Sequence, residues 1–122
     1  MTPTQRTLRE LKNRGFVCGI VEKWNSFAKI RQDLFGIIDI IALDPTRGVV
    51  GVQSTGSAFA AHDKKLLDEK AQASLDWLQT PGTVLELWGW RKVKRKRGGK
   101  AMIWQPRIKI YKVEDFGFDI FS

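Results

Sequence analysis

One aspartate stands inside an almost entirely apolar segment of this chain. Asp39 lies within residues 36–43 (GIIDIIAL), a run too short for a typical helix that predicts a central strand buried on both faces. A buried carboxylate is costly unless it is paired, hydrogen-bonded or bound to a cation. Asp39 is therefore either a residue at an exposed strand edge or a partner of a lysine, or it is a ligand for a hard cation such as Mg²⁺.

A second oxygen ligand follows on the next predicted strand. Residues 44–48 (DPTRG) predict a turn, and residues 49–52 (VVGV) predict a strand that pairs with the Asp39 strand as a hairpin. Gln53 comes at the end of this second strand, where its side chain can face Asp39. Two adjacent strands would then present one cation site.

The elements that must position these residues can be predicted along the rest of the chain. Residues 2–5 (TPTQ) form a capping box that starts a helix over residues 3–14, with Gly15 as its stop, and residues 16–24 predict a strand that buries Cys18. Residues 57–79 predict the main amphipathic helix, capped by Ser57 and ended by Pro81-Gly82. Residues 83–90 and 101–111 predict two more strands, and an aromatic tail with Phe116, Phe118 and Phe121 should pack down or meet a partner chain.

This order of helix, three strands, helix and strand resembles the core of the PD-(D/E)XK nuclease superfamily, which includes archaeal Holliday-junction resolvases and Mrr-like restriction enzymes. The resemblance rests on residues 36–42 (GIIDIIA) and 49–55 (VVGVQST). The family pattern is a G-x-x-D strand, then an apolar strand ending in E-x-K or Q-x-K. It covers about residues 1–90 and implies an α/β fold: a restriction-endonuclease-like αβββαβ core with a mixed central sheet, here extended by a basic β-hairpin and C-terminal strand over residues 91–122 of a single domain.

The resemblance also implies the roles of individual residues. Asp39 and Gln53 match the metal-binding aspartate and the Glu/Gln of the motif, while Thr55 stands where the motif lysine belongs. Some members carry that lysine on the following helix, where Lys64 or Lys65 would supply it here. Glu22 resembles the upstream glutamate that many members add to the metal site, although it is equally compatible with a solvated strand residue. Asp33 is either a group that supports the ligands or a turn acid.

The formal charge of +8 is concentrated in one segment of the chain. Residues 91–100 (RKVKRKRGGK) contain no acid and predict a β-ribbon arm that lies on the phosphates of a nucleic acid. A solvated loop and an anionic membrane surface are the alternatives. Trp90 is a candidate for stacking on an unpaired base, although a core position is the commoner role of a strand tryptophan. The basic residues of this arm are Arg91, Lys92, Lys94, Arg95, Lys96, Arg97 and Lys100.

Several other classes of function are disfavoured. One cysteine and one histidine exclude CxxC zinc sites and sites that need two histidines, and no phosphate-binding glycine motif is present. His62 is expected on the polar face of its helix near the substrate rather than as a base. With no signal-like or membrane-spanning segment, we expect a cytoplasmic protein without membrane contact.

We therefore predict a homodimeric, Mg²⁺- or Mn²⁺-dependent DNA endonuclease that is either structure-selective or of a kind that would suit a phage or mobile element. The alternatives are a nucleic-acid-binding module that keeps the nuclease-like fold without catalysis, which the Thr55 departure favours, and a small structural or assembly protein with a basic arm.

Overall fold

The computed structural model describes residues 1–117, which form a mixed α/β fold. One five-stranded sheet carries helices on both faces, and a separate two-stranded hairpin follows its first strand. The helices are α1 (Pro3–Asn13), α2 (Phe59–Lys64) and α3 (Ala71–Gln79), with a π-helical turn (Lys65–Glu69) between α2 and α3 and a short 3₁₀ turn (Val113–Phe116) near the end. The strands are β1 (Val17–Ile20), β2 (Lys23–Asn25), β3 (Ile30–Gln32), β4 (Ile40–Asp44), β5 (Gly48–Thr55), β6 (Thr83–Lys94) and β7 (Met102–Ile110).

The main sheet is mixed and has the strand order β1-β4-β5-β6-β7. Strands β1, β4 and β5 pair antiparallel, and the helical segment from α2 to α3 then carries the chain over to β6, which lies parallel to β5. Strand β7 returns antiparallel to β6 as a long hairpin. The mixed α/β fold class predicted from the sequence is confirmed at this level.

Helix α1 begins and ends as its sequence predicts. The Thr2 hydroxyl accepts from the Gln5 backbone N–H at 3.1 Å, and the Gln5 side chain accepts from the Thr2 N–H at 3.0 Å. Pro3 occupies the first turn, where its missing N–H leaves no bond unmade. This helix covers one face of the sheet, against a core of Leu11, Ile40, Val52, Trp88 and neighbouring apolar side chains.

The second helical segment differs from the prediction of one helix over residues 57–79. It begins at Phe59, and no side chain caps it, so the prediction of Ser57 as the cap is wrong. At Lys65 the helix widens into a π turn, in which the Lys70 N–H donates to the Lys65 carbonyl at 2.7 Å. Such turns insert one residue into an α-helix and are frequent at functional sites. Leu66, inside this turn, is fully buried on the other face of the sheet.

The strand predicted over residues 16–24 is two strands that belong to different sheets. Its first half is β1, and its second half is β2, which pairs with β3 in a hairpin that the sequence analysis did not predict. The strand predicted over residues 36–43 begins only at Ile40, because residues 34–38 fold into a turn. Cys18 is half-buried, with its thiol near the Leu8 carbonyl, rather than fully buried.

The C-terminal part is described only as far as Gly117. Phe116 packs against Tyr111 with ring centroids 6.4 Å apart, whereas Phe118 and Phe121 lie outside the described residues. Among residues 1–117, no helix has the length and apolar character that crossing a bilayer requires.

Candidate metal centre

A tight turn brings Asp33 and Asp39 face to face. Leu34 and Ile38 form an antiparallel bridge, with the Leu34 N–H donating to the Ile38 carbonyl at 2.8 Å and the Ile38 N–H donating back at 3.1 Å. Gly36 adopts φ +76° within this turn, a conformation that glycine tolerates without strain. The residues that flank the bridge, Asp33 and Asp39, therefore lie opposite one another.

Glu22 completes a cluster of three carboxylates. It follows β1, which pairs with the start of β4, so its position on the chain is next to Asp39 in space. One carboxylate oxygen from each of Glu22, Asp33 and Asp39 lies within 4.8 Å of the other two. Arg31 of β3 also reaches this group, with its Nη1 2.9 Å from Glu22 Oε1.

Asp39 is the most deeply buried acid of the cluster, with 5% of its surface exposed. Its Oδ2 accepts from the Ser54 backbone N–H at 2.7 Å, and among residues 1–117 its carboxylate forms no ion pair. Neither the exposed edge nor the lysine partner considered from the sequence applies within this part of the chain. A buried carboxylate with one neutral donor has the environment that a bound cation would stabilise.

Gln53 links the acids to helix α2 and the π turn. It is fully buried; its Nε2 donates to Asp33 Oδ2 at 3.0 Å. Its Oε1 accepts from the Lys65 ammonium at 2.9 Å and lies 3.1 Å from His62 Nδ1. The Lys65 ammonium also donates to Asp33 Oδ2 at 3.1 Å. An ammonium group is thus fixed between the amide oxygen and the carboxylate cluster.

The two facing aspartates differ in their acidity. Burial, then the hydrogen bond with Asp33 and the negative charges of Asp33 and Glu22, raises the pKa of Asp39 to about 8, against the smaller effect of the Ser54 N–H. Burial by itself would also raise the pKa of Asp33, but hydrogen bonds from Asp39, Gln53 and Lys65 hold that pKa below its ordinary value. Without a cation, a proton is therefore held on Asp39 and shared with Asp33.

The remaining residues named from the sequence have separate positions. Lys64 is exposed and, within residues 1–117, forms none of the hydrogen bonds that Lys65 makes. Thr55 is buried at the end of β5, paired with Gly89 of β6. Burial and the Lys65 ammonium lower the pKa of His62, which keeps its ring neutral at neutral pH. Of the two lysines considered for the missing motif position, Lys65 contacts the cluster. Asp33, regarded from the sequence as a supporting or turn acid, is a full member of it.

The basic arm extends from the β6–β7 hairpin. Pairing continues as far as Lys94 with Met102, and the Arg95 N–H donates to the Ala101 carbonyl at 2.8 Å beyond it. Trp90 is buried, and its Nε1 donates to the Thr7 hydroxyl at 2.8 Å, so it cannot stack on a base. Trp104, across the hairpin, is exposed and lies under the Arg6 guanidinium. All seven basic residues of the arm are exposed: Arg91, Lys92, Lys94, Arg95, Lys96, Arg97 and Lys100.

Comparison with known proteins does not identify a family for this chain. No family model, curated protein or solved structure matches the chain.

Proposed function

We propose that this protein is a metal-dependent DNA endonuclease of the PD-(D/E)XK type. One observation carries the proposal. Glu22, Asp33 and Asp39 place their oxygens within 4.8 Å of one another, and the Lys65 ammonium is hydrogen-bonded to Asp33 and Gln53 beside them. Carboxylates that converge next to a fixed ammonium are the groups needed to hold a hard cation and an anionic substrate together.

The connectivity of the sheet supports the same proposal. Helix α1 precedes three antiparallel strands, and the crossover through α2 and α3 leads to a parallel strand, β6. This is the αβββαβ order on which the resemblance rests. Asp39 immediately precedes β4, and its N–H donates to the carbonyl of Val52, the neighbour of Gln53 in β5. The β2–β3 hairpin is an insertion between the first two strands of that order.

The donor set fits Mg²⁺ or Mn²⁺. Glu22, Asp33 and Asp39 offer carboxylate oxygens, and Gln53 could add its amide oxygen in place of its present bonds to Lys65 and His62. When bound, the ion would supply a water of lowered pKa and positive charge near the scissile phosphate.

The chain's own residues have distinct parts in this reaction. Lys65 would take the part of the missing motif lysine, because its ammonium is held at the cluster by Gln53 and Asp33. There it can orient a water and offset charge that develops on the phosphate. Asp39 would release its proton as the cation binds. Thr55 offers no charge at the motif position.

The exposed cations of the arm would hold the DNA backbone. Phosphate contacts attract and orient a nucleic acid without reading its sequence. A chain of 122 residues offers a small binding surface, and we propose a homodimer as the working form.

A binding module without catalysis is the second candidate. The observation that favours it is the position of the Gln53 amide, whose Oε1 faces Lys65 and His62 while its Nε2 faces the acids. With this orientation the amide oxygen is directed away from the acid cluster.

Cleavage assays separate the two functions. Wild type, Asp39→Asn and Lys65→Met are incubated with linear, branched and single-stranded DNA in Mg²⁺ or Mn²⁺. We expect wild type to cleave at least one substrate and both variants to lose roughly 100-fold or more in rate, as the removal of one charge-stabilising group does in other enzymes. DNA binding should persist in both variants.

Lys64→Met is the matched control, because Lys64 is exposed and directly precedes Lys65 where α2 continues into the π turn. It should cleave at close to the wild-type rate. If wild type and all variants bind DNA equally well and none of them cleaves, the binding module is the correct function. An equal loss of cleavage rate in Lys64→Met and Lys65→Met would show that Lys65 does not replace the motif lysine.

A further inference from the structure

The β2–β3 hairpin, residues 23–32, exposes large apolar side chains. Phe27 at its tip is 100% exposed, Trp24 is 62% exposed, and Ile30 is half exposed on the face of the hairpin opposite to Trp24. Within residues 1–117 the two strands make extensive contacts only with each other. An isolated two-stranded hairpin is marginally stable in water, and a fully exposed aromatic ring at its tip is available to contact a bound partner.

The tip of this hairpin has a defined shape. The Asn25 side chain accepts from the backbone N–H groups of Phe27 and Ala28 at 3.0 and 3.1 Å. Lys29 closes the turn with φ +52°. These bonds fix the backbone of the tip, from which the fully exposed Phe27 side chain projects.

The β2–β3 hairpin and the basic arm leave the same end of the main sheet. The row Ile20, Ile40 and Val52 crosses β1, β4 and β5, and the β2–β3 hairpin follows Ile20. Strand β6 runs parallel to β5, so its continuation beyond Gly89 into the basic arm projects from this end too. The carboxylate cluster lies at the same end, between the edge that carries the aromatic tip and the edge that carries the arm.

The β2–β3 hairpin is joined directly to the cluster at both of its ends. Glu22 precedes its first residue, and Asp33 follows its last. Arg31 in the middle of β3 pairs with Glu22 at 2.9 Å. A molecule bound at the cluster therefore lies at the base of the hairpin.

The charge of the hairpin points to a polyanion. Residues 23–32 contain Lys23, Lys29 and Arg31 and no acid, and of these only Arg31 is engaged in an ion pair within residues 1–117, with Glu22. A second copy of the chain would place like charges together, whereas a phosphate backbone would neutralise them while the bases meet the aromatic ring. Apolar side chains that enter a base step unstack it and kink the duplex, and single bases stack on aromatic rings.

We propose that the β2–β3 hairpin is a DNA-distorting element that inserts Phe27 between bases next to the metal centre. This inference rests on the proposed function for the identity of the ligand, but it does not require cleavage. It predicts a preference for DNA with an unpaired or weakly stacked base near the cut, such as a branch or a mismatch, because unstacking costs least there.

Fluorescence of 2-aminopurine at the branch point of a DNA junction tests this proposal. Wild-type protein in Ca²⁺, chosen to slow hydrolysis, should raise the fluorescence as the probe base leaves the stack. Phe27→Ala should abolish that rise and weaken junction binding roughly 5- to 150-fold, the range expected for one lost stacking contact. Phe27→Trp should restore both.

Leu43→Ala is the control, since Leu43 is an exposed apolar residue at the opposite end of β4. Manganese binding, followed by electron paramagnetic resonance, checks that Phe27→Ala leaves the metal centre intact. Unstacking by wild type without cleavage would refute the proposed nuclease function and support the DNA-distorting role of the hairpin. Cleavage and unstacking that are equal in wild type and Phe27→Ala would refute the DNA-distorting role alone. A Phe27→Ala variant that changes only the oligomeric state, or only binding to anionic vesicles, would likewise overturn it.

Discussion

Asp39 and Asp33 hold one proton between them, and the stability of the metal-free protein should depend on it. The pKa of Asp39 is raised to about 8 in the folded state, by burial first and by Asp33 and Glu22 after it. An unfolded aspartate titrates near pH 4. Between about pH 4 and pH 8 the folded state therefore binds more protons than the unfolded state, and its stability falls as the pH rises.

Asp39→Asn should remove this dependence. In EDTA, we expect the variant to match wild type near pH 5 and to exceed it in Tm at pH 8, since amide and protonated carboxyl are both neutral. The gain is bounded by about 1.4 kcal/mol per pH unit. Thermal unfolding between pH 5 and pH 9 measures it, with Asp68→Asn on the exposed helix surface as the control. Parallel Tm curves for wild type and Asp39→Asn would contradict the proton assignment.

The residues of the cluster were only partly predictable from the sequence. Asp39 stood out because an acid inside an apolar run is costly, and Gln53 followed because a hairpin places it alongside. Asp33 belongs to the cluster because of the turn closed by the Leu34–Ile38 bridge. The apolar residues of this segment favour a continuous strand, so the turn was not predicted. The sequence feature that could have indicated it is Gly36 with an aspartate three residues away on each side. The position of Lys65 rather than Lys64 at the cluster depends on the helix phase, which the π turn sets.

At the scale of elements, Gly51 of β5 leaves room for Ile38, the neighbour of Asp39, to lie against the face of the sheet. A Cβ at Gly51 would meet Ile38 Cδ1 at 2.6 Å and Trp77 Cζ2 at 3.0 Å. Gly51→Ala should therefore displace Ile38, the neighbour of Asp39, and lower the free energy of unfolding by about 1–3 kcal/mol. Urea denaturation measures this loss.

Gly19→Ala is the matched control for that substitution. Gly19 and Gly51 lie in the same row of the sheet, on either side of Ile41, yet a Cβ at Gly19 meets nothing within 4 Å. Its variant should unfold at the wild-type urea concentration or slightly above. Equal losses in the two variants would mean that strand propensity, and not the contact with Ile38, decides the effect.

Most elements follow from the sequence because their signals are local. The capping box of α1 and the Asp44–Gly48 turn each depend on neighbouring residues, and each is found where it was expected. Both C-terminal strands were also predicted, but β6 runs beyond the expected end at residue 90 as far as Lys94, and its middle is buried on both faces rather than alternating. The β2–β3 hairpin was missed because residues 16–24 (FVCGIVEKW) are rich in β-branched and aromatic residues and therefore favour one strand. The end of β1 at Ile20 is set by its pairing with β4, a long-range contact that these residues do not indicate.

At the scale of the whole molecule, acidic and basic groups are separated along one end of the sheet. The cluster of Glu22, Asp33 and Asp39 lies near the middle strands, while the arm carries most of the +8 net charge at the β6–β7 edge. Under the proposed function, phosphates drawn to the arm would approach acids that repel them unless a cation is bound. Substrate binding and cation binding should therefore favour each other.

The salt dependence of DNA binding tests the part that the arm plays in this arrangement. Each phosphate contact releases condensed counterions, so the logarithm of affinity falls with the logarithm of salt concentration by nearly one unit per contact. We expect the slope to decrease stepwise, by roughly one unit per charge, from wild type through Arg95→Ala to the double and triple variants with Lys96 and Arg97. Fluorescence anisotropy at several salt concentrations measures the slopes, and the graded series is its own control. A constant slope across the series would show that the arm is solvated in the complex and that the DNA lies elsewhere, because counterions are released only where phosphates are neutralised.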